Sequence, residues 1–212
     1  MRYIIPIGVL GVILFFAFGQ DSEKAKLELS EGDLKVTKLD LQRVLDVTVP
    51  VILQNAKESS RINPKTAADK ENFSSMYFIK TAKDLAKVYN GTNPKIYEDN
   101  LDVYPSTSGA LVAYEDINKN FKQDENEQNI FFIDVDGENS RIIATSRIGA
   151  SSNASFPAGS LLAGYFLGRM LTMQSNFPNR KNYVNNAKTV TPQKAMSNAR
   201  ARAGSGSHRA GK

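Results

Sequence analysis

Ala110-Leu-Val-Ala-Tyr114, Ile130-Phe-Phe-Ile-Asp-Val135 and Arg141-Ile-Ile-Ala-Thr145 are three short runs rich in β-branched and aromatic residues, the last two separated by Asp136-Gly137. Runs of this kind bounded by turn residues read as strands, and Asp-Gly between two of them is a hairpin signal. They predict a three-stranded antiparallel meander. Upstream, Phe73, Met76, Tyr77, Lys80, Asp84, Leu85 and Val88 recur at near-helical spacing, and Asn90-Gly91 supplies a stop, which predicts a helix over Ala67 to Tyr89. Its apolar face reads as core rather than as a cofactor surface. Leu39, Leu41, Val44, Leu45 and Val47 fit a second helix ending near Val47, because the β-branched run that follows contains Pro50; residues 49–57 read either way. The stretch Leu34 to Leu39 is expected to begin a strand. The fold class is therefore α+β, one or two helices packed on the meander, within a domain over 34–148. Residues 149–155, rich in Ser, Asn and Ala, read as its exit linker.

Between the first two strands lies Asp116-Ile-Asn118-Lys-Asn120-Phe-Lys122-Gln-Asp124-Glu-Asn-Glu127. A twelve-residue calcium loop puts oxygen-bearing side chains at positions 1, 3, 5, 9 and 12 and a main-chain carbonyl at position 7. Asp116, Asn118, Asn120, Asp124 and Glu127 fill the side-chain positions, and Lys122 supplies the carbonyl. The expected ion is structural Ca2+, held weakly, on the order of 0.1–1 mM, because only three of the ligands are carboxylates. Phe121 stands where the sharp turn normally takes glycine, and strands rather than helices flank the loop. A solvated hairpin tip of the same composition is the alternative.

The charge is divided along the chain. Residues 1–138 carry 16 Lys+Arg against all 22 Asp+Glu, a net of −6, whereas residues 139–212 carry 11 Lys+Arg and no carboxylate side chain. There is no cysteine, which excludes disulfides, thiolate metal sites and thiol nucleophiles. Arg2-Tyr3 precedes an apolar run from Ile4 to Gly19, then polar Gln20-Asp21-Ser22. This is an export signal, either a peptide cleaved after Gly19 or an uncleaved anchor. Residues 20–33 read as a charged linker into the domain. The protein is expected in the periplasm or cell envelope, associated with membrane through residues 1–19 or 156–174.

The segment 156–174 is apolar, with Ser160, Gly164, Gly168 and Thr172 four residues apart and Arg169 near one end. On a helix these small residues form a smooth face of the small-xxx-small kind that permits close approach in membranes and oligomers, although a helix docked on the domain has the same pattern. Residues 175–212 are rich in Asn, Lys, Arg, Ala and Ser and are expected to form a disordered basic tail, with Arg200, Arg202 and Arg209 available to an anionic surface or an envelope protein. No aromatic platform accompanies the terminal arginines, which argues against nucleic acid. His208, the single histidine, reads as a solvated tail residue.

Ala163-Gly164-Tyr165-Phe-Leu-Gly168-Arg169-Met-Leu171, followed by a Lys/Arg/Ser/Gly-rich tail, resembles the C-terminal part of the YgiB-like family of small bacterial envelope proteins. The resemblance implies an envelope address; that family's cysteine-containing N-terminal region is absent here. No phosphate-binding glycine loop or Ser-His-Asp set is present; Asp134 and Asp136, on one face of a strand, are a carboxylate pair capable in principle of acid/base work, but a solvated edge or an additional ion ligand is the commoner outcome. The sequence therefore predicts an exported, non-enzymatic envelope protein that binds or builds structure, or alternatively a subunit of an envelope or surface assembly that oligomerises through residues 156–174, with an enzyme of unknown type as the third reading.

Overall fold

The computed structural model describes residues 35–157 and 165–204. The expected export segment 1–19, the expected linker 20–33, Ser160, Gly164, His208 and Arg209 lie outside the described residues. The class is α+β. Two long helices, α1 (Leu41–Ser60) and α2 (Ala67–Gly91), precede five strands, β1 (Leu101–Pro105), β2 (Leu111–Glu115), β3 (Asn129–Asp136), β4 (Arg141–Ser146) and β5 (Ser151–Ser155). Three shorter helices follow, α3 (Tyr165–Ser175), α4 (Pro178–Asn186) and α5 (Pro192–Gly204).

The strands pair antiparallel in chain order, so the sheet is a five-stranded meander rather than a three-stranded one. The additional strands are its edges. β1 alternates buried Leu101 and Val103 with half-buried Asp102 and Tyr104 and stops at Pro105. β5, Ser151-Ser-Asn-Ala-Ser155, occupies the expected exit linker; its composition disfavours a strand, but in-register pairing from Arg141↔Ser155 to Thr145↔Ser151 holds it.

Residues 35–37 are a helical turn, not the start of a strand. Asp40 then caps α1, accepting from the backbone N–H groups of Gln42 and Arg43. The helix runs straight through Pro50, where sequence alone left the element open. Pro50 is exposed, so the carbonyl it leaves without an intrahelical donor faces water, while Leu45, Ile52 and Ala56 stay buried on the opposite side. Burying a side chain such as Leu45 or Ile52 contributes about 1.5–3 kcal/mol, which together offsets a proline cost of about 3 kcal/mol. α2 opens on a capping box in which Thr66 Oγ1 accepts from Asp69 N at 3.0 Å and the Asp69 carboxylate accepts from Thr66 N at 3.1 Å.

One sheet face turns Leu111, Ala113, Phe131, Ile133, Val135, Ile142 and Ala144 into a core shared with Leu45 and Ile52 of α1 and Phe78, Leu85 and Tyr89 of α2. Tyr89 meets Phe131 edge-on with ring centroids 5.2 Å apart. α3 joins the same core through Phe166, Leu167 and Met170. It crosses the hairpin end of the sheet: a Cβ on Gly109, whose φ is +82°, would lie 2.5 Å from the Met170 carbonyl, and one on Gly137 3.1 Å from Leu171.

Over residues 178–204 two helices stand where a disordered tail was expected, residues 205–212 lying outside the described residues. α4 lies on the other face of the sheet, where Asp134 points between inward-facing Ile133 and Val135. Arg180 donates to both Asp134 oxygens at 2.6 Å and lies over Phe132 and Tyr183, and the Tyr183 hydroxyl meets Thr145 Oγ1 at 2.8 Å. From β4, Arg141 reaches the C-terminal end of α4, donating to the carbonyls of Val184, Asn185 and Ala187, while its Nε bonds Asp136 at 2.8 Å. Beyond α4, Ser151 and Val190 exchange backbone hydrogen bonds of 2.8 Å, and Ala195 of α5 enters the core. Composition missed this because polar anchors, not apolar bulk, hold the segment.

Asp134 and Asp136 are accordingly not a solvated edge; they are 0% and 1% exposed. Burial pushes the Asp134 carboxyl above the usual Asp range, with Arg180 pulling the other way. Burial acts in the same sense on Asp136, but Asn139 and Arg141 outweigh it and hold that carboxyl below its ordinary value.

Candidate functional site

The β2–β3 connection is built by its own polar atoms. A register shift between Ala113 and Tyr114 ends regular pairing and launches the loop from Glu115. Asp116, 0% exposed, accepts from Asn120 N at 3.0 Å and Phe121 N at 3.4 Å. The buried Glu127 carboxylate closes the other end, accepting from Ile117 N at 2.8 Å and Asp124 N at 3.0 Å. Asp124 takes the side-chain amides of Asn118 and Asn120 at 2.7 and 3.0 Å. Asn118 and Asn120 also accept from the backbone N–H groups of Asn120 and Lys122. All five expected side-chain ligands are thus drawn into one network, with Lys122 on its outer turn. Among the described residues, no group of three or more Asp, Glu, His or Cys side chains forms a metal-holding cluster. Cation binding here would require the amides of Asn118 and Asn120 to present oxygen where they now present N–H to Asp124.

Two residues of the loop take the left-handed conformation, Lys119 at φ 58° and Phe121 at φ 60°. For a bulky aromatic this is a strained choice, where glycine would sit freely. The Phe121 ring is nevertheless 75% exposed, so packing in the core does not explain it.

Phe121 lines a groove of about 1110 Å³ along the free edge of β1, between α2 and the loop. Ile79, Ala82 and Ala86 form the α2 wall, Val103, Tyr104 and Pro105 the strand side, and Lys119, Phe121 and Lys122 the loop wall. Ile79 is 48% exposed although it is branched and aliphatic. Lys83 and Lys87, one and two helical turns beyond Ile79, stand on the same wall and are exposed, as are Lys119 and Lys122 opposite. The edge strand within the groove is already partly covered. Asn90 Oδ1 accepts from Leu101 N at 2.9 Å, and Asn90 Nδ2 donates to Leu101 O at 2.7 Å, as a neighbouring strand would.

The other expected contact residues are dispersed. Gly168 and Thr172 lie on the exposed side of α3, where a Cβ on Gly168 would meet nothing within 4 Å and Thr172 Oγ1 bonds the Gly168 carbonyl at 2.8 Å. Arg169 is turned to Glu71 of α2 in an ion pair. Arg200 is exposed on α5, and Arg202 belongs to the same helix. Much of the basic C-terminal charge is spent internally, in Arg141–Asp136, Arg169–Glu71, Arg180–Asp134 and Lys181–Glu138 pairs. No helix among the described residues is long and apolar enough to cross a membrane.

The groove itself was missed in the sequence. Its signals were the Ile79-x3-Lys83-x3-Lys87 stripe, out of phase with the buried Phe78, Ala82 and Leu85, and the phenylalanine at the sixth position of the loop. The chain matches no protein-family model, no curated protein and no solved structure.

Proposed function

We propose that the chain is an exported, envelope-associated protein that binds rather than catalyses, and that the α2–β1–loop groove is its binding site. The observation that carries this is Phe121, a strained and exposed aromatic on the wall of a large apolar groove. Strain of this kind persists where function uses it, and a concave apolar surface with a few charges at its rim is the usual form of a ligand site. The leader-like segment and the resemblance at Ala163–Leu171 support the envelope address. Export is tested by cell fractionation, with the full chain in the envelope or periplasmic fraction as expected and retention in the cytosol as the contrary result. Binding is tested with an environment-sensitive apolar dye, whose fluorescence should rise with the native protein and fall with Phe121→Ala; an unchanged signal in that variant removes the groove from consideration.

The same reading assigns the loop a structural Ca2+ at Asp116, Asn118, Asn120, Asp124, Glu127 and the Lys122 carbonyl, which would fix the wall carrying Phe121. The oxygen spacing of the twelve-residue loop favours it, and binding would turn the Asn118 and Asn120 amides, which now donate N–H to Asp124. Calorimetric titration should show heat and a rise in Tm at millimolar calcium; neither, at several millimolar, ends the idea. A second reading, assembly through the exposed Gly168–Thr172 side of α3, is favoured by the open space at Gly168 and calls for mass photometry of the wild type and Gly168→Leu. A monomer in both discards it.

A further inference from the structure

Four lysines, Lys83 and Lys87 on α2 and Lys119 and Lys122 on the loop, face one another across the groove, and among the described residues none is in an ion pair. On the next turns of the same helix the pattern differs, Lys80 being paired with Asp84 and Glu58. The one carboxylate on the groove lining, Asp102, is engaged at 2.9 Å by the Tyr114 hydroxyl. The rim is therefore cationic and the floor apolar, so the complementary ligand is an anion carrying an apolar body.

The free edge of β1 narrows the class further. A peptide that added a strand would need the outward N–H and C=O groups of alternate β1 residues. Those of Leu101 are taken by Asn90, and Pro105 has no N–H to give. Only Val103 keeps both groups for a partner, too little for strand addition. An alkyl chain needs no main-chain partner and is satisfied by Ile79, Ala86, Val103 and the Phe121 ring.

We infer that the groove holds a single-chain amphiphile with an anionic head, a fatty acid in monomeric form, its chain along Ile79, Val103 and Phe121 and its carboxylate among Lys83, Lys87, Lys119 and Lys122. This rests on the groove being the binding site. The compact lysine ammonium suits a carboxylate approached from several directions, whereas the fixed fork of arginine would select one geometry. The amphiphile enters as a monomer; the groove is a receptacle rather than a face laid on a bilayer.

The test titrates the full-length chain with three probes of equal chain length below their micelle concentrations, namely laurate, dodecyl maltoside and dodecyltrimethylammonium. Laurate should bind, with the cationic probe at least tenfold weaker. Replacing Lys83, Lys87, Lys119 and Lys122 together by Gln should weaken laurate at least tenfold and leave dodecyl maltoside unchanged. Phe121→Gly, which keeps the backbone conformation, should weaken every probe that binds. Equal affinity for all three overturns the assignment of an anionic ligand but leaves the groove as a site. Failure of all three removes the groove. Attachment to phosphatidylglycerol vesicles without any binding of monomeric laurate overturns the monomer in favour of a membrane surface, and tighter binding of an acidic peptide than of laurate overturns the lipid class.

Discussion

Replacing Arg180 by Ala should cost the protein about 3–5 kcal/mol, because it strands a buried carboxylate. Asp134 is 0% exposed and its two oxygens are bound by the Arg180 guanidinium, whose side chain is 23% exposed. Truncation leaves the Asp134 carboxyl between Ile133 and Val135 with no other partner among the described side chains, and without Arg180 to pull it down burial raises it further. Asp134→Asn removes the charge rather than its partner and keeps the shape, so it should cost less, about 1–3 kcal/mol for the imperfectly paired amide. The double variant Asp134→Leu/Arg180→Leu should come closest to wild type, since replacing both members of a buried pair by apolar groups is often nearly neutral. Urea denaturation followed by circular dichroism measures the three costs. Limited proteolysis should show cleavage within 176–190 first in Arg180→Ala, because α4 loses its anchor while the α1–α2 core keeps its own contacts. A cost for Arg180→Ala at or below that of Asp134→Asn would refute the reasoning.

The raised Asp134 carboxyl has a pH signature. Its folded form takes up a proton at higher pH than the unfolded chain does, so stability falls as pH rises from the ordinary Asp value through the raised one, and Asp134→Asn should abolish that segment of a Tm-against-pH curve. Asn90→Ala should cost about 1–2 kcal/mol for the lost bonds to Leu101 and should bring concentration-dependent association, seen by sedimentation, as the β1 edge opens. Phe121→Gly relieves a left-handed backbone at the expense of a more flexible unfolded chain, so Tm should hold or rise while ligand affinity drops; a fall in Tm would mean the ring packs in a way its 75% exposure denies.

The elements legible in the sequence were those whose apolar pattern is strong and local. Phe78, Leu85 and Tyr89 on α2, and Phe131, Ile133 and Ile142 on the central strands, repeat at helical and strand periods, and the Asp136 turn is held by its own carboxylate bonding Asn139. The edges were not legible because they borrow their order. β5 has almost no apolar residue and exists because β4 presents a ladder to it, and α4 is held by the reach of Arg180 to an aspartate 46 positions earlier. The uneven distribution of charge along the chain, read as a tail awaiting an anionic partner, is in part an internal fastening of a basic segment onto an acidic sheet. At the candidate site, the oxygen spacing of Asp116–Glu127 could be read directly. The groove could not, since it arises where α2, β1 and the loop meet, and its lysines are ordinary surface residues until they share a rim.

Isotope-edited NMR of the full-length chain with laurate tests the proposed site most directly. Intermolecular NOEs from the alkyl chain should fall on Ile79, Ala86, Val103 and Phe121, with the carboxylate end nearest Lys83, Lys87, Lys119 and Lys122. NOEs that map instead to the Gly168–Thr172 side of α3, or none at saturating laurate, would contradict it.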